Sequence, residues 1–76
     1  MTTKARRSKR YVLCLSNRGY GASLVVRRLY EQVADPEAAK RGLLRVVDES
    51  GEDYLFPRVL FAALELPDAI RQRLAT

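Results

Sequence analysis

The chain has 76 residues, 47% of them apolar and 30% charged, with a formal net charge of +5 and no histidine. A chain of this length is one domain's worth and buries only about 60% of the surface its unfolded form exposes, so each large apolar side chain counts. The composition excludes a wholly disordered chain, and no apolar run approaches the roughly 18 residues of a membrane-spanning helix. Without histidine, the commonest general base and the commonest metal ligand are missing.

The positive charge is concentrated at one end. Lys4, Arg6, Arg7, Lys9 and Arg10 fall within the first ten residues with no acid among them, and the rest of the chain holds nine basic and nine acidic side chains. Residues 1–9 therefore read as a disordered basic arm, because they lack large apolar residues after Met1 and their charges repel. Such an arm can steer toward phosphate or acidic lipid. A single cysteine, Cys14, forms no internal disulfide and fits a reducing compartment, so a cytoplasmic location is expected. Residues 1–10 lack the apolar stretch of a signal peptide.

Residues 10–16 read as a strand, short and apolar on both faces. Asn17, Gly19 and Gly21 then supply a turn or long loop. Residues 24–33 admit two readings: a helix capped by Ser23 with Leu24, Val25, Leu29 and Val33 as its stripe, or a strand with Leu24, Val26 and Tyr30 on one face. Asp35, Pro36 and Gly42 mark a short helix by cap, first position and stop. Residues 43–48 and 52–56 around Ser50 and Gly51 read as a β-hairpin. Pro57 ends its second strand, residues 58–61 suit one 3₁₀ turn, and residues 62–66 form a last strand. Residues 67–76 read as a terminal helix, opened by Pro67 and Asp68 and closed by Arg71 and Arg73.

The run from Tyr11 to Asn17, then Leu24, Tyr30, the stretch from Arg45 to Pro57, Phe61 and Glu65-Leu66-Pro67 resemble a group of small uncharacterised bacterial proteins expected to form SH3-like barrels. The resemblance spans most of the chain. It implies a mainly β fold: a barrel of about five strands over residues 10–66, with a short connector helix and a C-terminal helix. It also favours extended structure for residues 24–33. It implies no activity, since this architecture hosts many unrelated binding tasks. Two departures stand out: Val26-Arg27-Arg28 lacks the glycine such barrels often place near the end of the long loop, and the basic arm is longer.

No residue set announces catalysis, a cofactor or a metal. Cys14 lies in an apolar strand and reads as a small buried hydrophobe. Asp48, Glu49, Glu52 and Asp53 lack the spacing of a calcium loop and read as a solvated hairpin tip, with Asp48 suited to bonding the turn backbone. The glycine loop lacks a Walker ending, but Arg18 and Tyr20 on it pair a cation with a stacking ring, as single-stranded nucleic-acid sites do. Tyr11, Tyr30, Tyr54, Phe56 and Phe61 are core candidates, and Arg27, Arg28, Arg45 and Arg58 read as surface charges. Two functions stay open. One is a non-catalytic interaction module with a protein partner. The other is a nucleic-acid-binding accessory protein that uses Lys4, Arg6, Arg7, Lys9 and Arg10 with Arg18 and Tyr20. Neither reading involves a membrane, and neither fixes an oligomeric state.

Overall fold

The computed structural model describes residues 10–75; the arm at 1–9 lies outside them. Five strands form one antiparallel sheet: β1 (Arg10–Cys14), β2 (Leu29–Val33), β3 (Leu43–Val47), β4 (Asp53–Pro57) and β5 (Phe61–Leu64), in the order β4-β3-β2-β1-β5. A five-residue helix, α1 (Pro36–Lys40), links β2 to β3, a 3₁₀ turn at Arg58–Leu60 links β4 to β5, and α2 (Asp68–Ala75) ends the described chain. β1 is bonded on both sides, by β2 and β5, while β4 and β5 are the two edges, so the ladder is not closed. No helix among the described residues is long and apolar enough to cross a membrane.

Alternation along the strands shows which residues gather in the main core, although Tyr11, on the other face of β1, is buried as well. Val12 sits opposite Tyr30 and Cys14 opposite Phe61, with Leu44 opposite Phe56. That face, with Val46, Leu24 and Leu60, forms the core, and Tyr20 packs against it. Phe56 is the ring at its centre, edge-on to Tyr20 at 5.2 Å and to Phe61 at 6.2 Å. Aromatic edges against faces suit the ring quadrupole and add to the area buried. Tyr54 departs from the core expectation. It is 49% exposed and its hydroxyl donates to Glu52, because the β4 edge turns that end of the strand outward.

The short helix forms for the reasons its sequence offers. The Asp35 side chain accepts from the Ala38 N–H at 3.1 Å, and Pro36 occupies the first turn. Arg45 on β3 donates to the other Asp35 oxygen at 2.8 Å and also pairs with Asp53 at 3.3 Å. One arginine on β3 thus ties the helix cap to the edge strand β4. The Ala38 N–H first and Arg45 second hold the Asp35 carboxyl below its usual range.

Residues 24–28 are not extended: the strand expected over 24–33 begins only at Leu29. The reason is a bulge. The Arg27 N–H donates to the Cys14 carbonyl at 2.7 Å, and the Cys14 N–H donates to the Arg28 carbonyl at 3.0 Å, so two residues face one. The hairpin tip repeats this pattern. There the Gly51 N–H donates to the Asp48 carbonyl and the Asp48 N–H to the Glu52 carbonyl, each at 3.0 Å. The first bulge residue takes a positive φ in both, +87° at Gly51 and +71° at Arg27. Arg27 is also the third residue of a turn closed by the Arg28 N–H on the Val25 carbonyl, a place that ordinarily takes glycine. The glycine missing from the sequence is therefore missing from a position whose backbone asks for one. Arg27→Gly should raise stability by about 0.5–1 kcal/mol, read as a higher urea midpoint at unchanged slope. A lower midpoint would show that the arginine side chain offsets its own backbone cost.

Candidate interaction surface

The long loop between β1 and β2 is fastened at several points. The Tyr30 hydroxyl accepts from the Val25 N–H at 2.7 Å and donates to Glu49 Oε2 at 2.5 Å. Arg28 donates to both Glu49 carboxylate oxygens, at 3.0 and 2.9 Å, and the Glu49 N–H donates to the Ser23 carbonyl. Asn17 Nδ2 donates to the Leu24 carbonyl at 3.0 Å, which seats the fully buried Leu24 side chain in the core.

These groups are matched to holding structure. Burial first, then the bond to Glu49, pushes the Tyr30 phenol up to about 12. The same hydroxyl first, with Arg28 after it, lowers the Glu49 carboxyl. A phenol held protonated and a carboxylate held ionised, each with its partners in place, form a tie between loop and hairpin and are not poised to exchange protons near neutrality. Burial likewise raises the Cys14 thiol, which keeps it from thiolate chemistry. The hairpin acids are also engaged. Asp48, itself buried, accepts from the Ser50 N–H and hydroxyl at 2.8 and 2.5 Å, as the turn chemistry of its sequence suggested.

The residues singled out by sequence for contact are not gathered at one place. Lys4, Arg6, Arg7 and Lys9 lie outside the described residues. Arg10 opens β1 and lines a cleft of about 280 Å³ whose other charged residues include Glu65 and Asp68. Arg18 is exposed in the loop beyond the opposite end of β1, a strand about 13 Å long. Tyr20 is half-buried with its ring against Phe56.

Other surface residues do converge. Leu15 and Ser16, leaving β1, both donate N–H groups to the Leu60 carbonyl, at 2.7 and 3.3 Å. This places the strand exit against the 3₁₀ turn, and the Arg27 bulge returns to the same exit through Cys14. Val59 on that turn is 83% exposed and Leu15 is 53% exposed, the two highest values among the large apolar residues described. Arg18, Arg27 and Arg58 from these segments are exposed and, like Arg10 and Arg41 elsewhere, form no ion pair among the described residues, whereas Arg28, Lys40, Arg45 and Arg71 each have a carboxylate partner. Sequence reasoning passed over Leu15 and Val59, because each sits in a short continuous apolar run whose spacing does not say which member faces outward.

No protein-family model matches the chain, and no curated protein or solved structure shows significant similarity to it.

Proposed function

We propose that the chain is a non-catalytic interaction module of SH3-like architecture whose partner is a protein. The observation that carries this reading is the pairing of uncovered aliphatic side chains, Leu15 and Val59, with arginines that have no carboxylate partner among the described residues, on a scaffold where Tyr30, Glu49, Asp35, Arg45 and Asp48 are engaged in holding loops and strands. An exposed apolar patch rimmed by charge is a usual mark of a protein contact. The barrel reading draws support from the element order: strand, long loop, strand, connector helix, hairpin, 3₁₀ turn after Pro57, and a last strand beside the first. A single, buried thiol supports a cytoplasmic setting.

The nucleic-acid reading rests on the acid-free basic run of residues 1–10. The two separate in a pull-down with the tagged full chain from native lysate at about 50 and about 200 mM salt, with and without nuclease. A protein retained after nuclease at both salts supports the module. Loss of all bound material with nuclease, or a steep loss with salt, supports nucleic acid, because displaced counterions make phosphate binding salt-dependent. In that case, deleting residues 1–10 should remove most of the affinity for a single-stranded oligonucleotide, measured by anisotropy; unchanged affinity would reject a role for the arm.

A further inference from the structure

We infer that the ground between the β1 exit, the Arg27 bulge and the 3₁₀ turn takes an acidic peptide segment carrying an aliphatic side chain, an inference that rests on the protein-partner reading above. The charge pattern is the first argument. Residues 11–30 and 54–64, which supply this ground, contain no aspartate or glutamate. Among the described residues, the only hairpin carboxylate reaching them in an ion pair is Glu49, and it is taken up by Arg28. Arg18, Arg27 and Arg58 thus leave a positive field without a counterpart among the described residues. Arginine forks pair with carboxylates through two parallel hydrogen bonds, so an acidic chain complements them.

Arg27 itself is the second argument. Its backbone sits at φ +71°, and the equivalent bulge at the hairpin tip uses Gly51. A side chain held there carries a backbone cost that glycine avoids, and among the described residues its guanidinium has no carboxylate partner to offset it. Strain of this kind is found where a side chain serves something beyond the fold.

The third argument selects peptide over nucleic acid. Single-stranded nucleic acids are held by aromatic faces on which bases stack. The loop's one aromatic residue, Tyr20, is turned edge-on to Phe56 and packed against the core, and what lies open beside the arginines is aliphatic. Val59 and Leu15 offer an apolar seat to a leucine, isoleucine or valine and nothing to a base.

The probe is a peptide of about ten residues, aspartate and serine around a central Leu-Ile pair, titrated into the isotope-labelled full chain. Two control peptides replace aspartate by asparagine or the Leu-Ile pair by serine, and a thymidine oligonucleotide is the third competitor. The expected result is amide shift changes at residues 15–18, 26–28 and 58–60, with each control peptide weaker by about tenfold. Arg58→Glu and Val59→Ser, both at exposed positions, should each weaken binding by about tenfold. Arg27→Gly should weaken binding while raising the urea midpoint, a split that a purely structural role for Arg27 does not produce. Shifts elsewhere, equal binding of the controls, no binding of the probe, or the same shifts from the oligonucleotide would each overturn the proposal. If a protein captured by the full chain is still captured by the Arg58→Glu and Val59→Ser variants, this surface is wrong while the module reading stands. If nothing but nucleic acid is captured, both fall.

Discussion

Leu24→Ala should destabilise the domain by about 3–4 kcal/mol, a loss comparable to much of the stability such a small chain can hold. Leu24 belongs to no strand or helix, yet its side chain is 0% exposed, the largest of the fully buried ones. Its backbone is fixed from both sides: its N–H donates to the Tyr20 carbonyl at 3.0 Å and its carbonyl accepts from Asn17 Nδ2 at 3.0 Å. A loop pinned in this way cannot collapse to fill the space left by the lost side chain, so the cavity term adds to the transfer term. The measurement is urea unfolding followed by circular dichroism. A loss below about 1 kcal/mol would show that the loop closes over the gap and that Leu24 is not a core residue in the energetic sense. Leu24→Met, which nearly conserves volume, should cost less than about 1.5 kcal/mol.

The same loop marks where sequence reading stopped. The hairpin of β3 and β4 was legible because Ser50 and Gly51 sit between alternating apolar runs, and α1 because Asp35, Pro36 and Gly42 each have one local role. The strand β1 was legible in its place but not in its orientation: Tyr11 to Leu15 are apolar throughout, and only pairing with Tyr30 and Phe61 shows that Val12 and Cys14 face inward. Residues 24–28 were misread because strand alternation and helical spacing both fit them, while the bulge that delays the start of β2 is a backbone event at Arg27 with no side-chain signature. Long-range partners were likewise hidden. Nothing near Tyr30 names Glu49, and nothing near Leu15 names Leu60, since these contacts join segments far apart in the chain. The candidate surface was less legible than the fold for that reason. Arg58 and Arg27 were visible as charges, but whether a charge has a partner is a property of the folded chain.

Tyr30→Phe should cost about 2 kcal/mol at neutral pH and remove a step in alkaline stability. The substitution keeps the ring in the core, but it leaves the Val25 N–H without its acceptor and takes the hydroxyl donor from Glu49; bonds to a charged group contribute about 1.5–3 kcal/mol. The pH dependence follows from linkage. The phenol's folded-state value is raised from 10.0 to about 12, so its contribution is fully present below pH 10 and is lost as pH rises toward 12, a loss on the order of 2–3 kcal/mol. Glu49 titrates in the opposite sense. Its carboxyl is lowered from 4.5 in the folded state, chiefly by the Tyr30 hydroxyl, so its contribution is present above 4.5 and is lost as pH falls through the lowered value. Wild type should therefore lose stability in both windows. Tyr30→Phe should be flatter between pH 10 and 12 and should also lose part of its acid step, since the main cause of the Glu49 shift is gone. Arg28→Gln should leave the alkaline step largely in place, because it removes only the second partner of Glu49 and none of the burial around the ring. Identical alkaline profiles for wild type and Tyr30→Phe would mean that the tyrosine hydroxyl is not the group that fastens the loop to the hairpin.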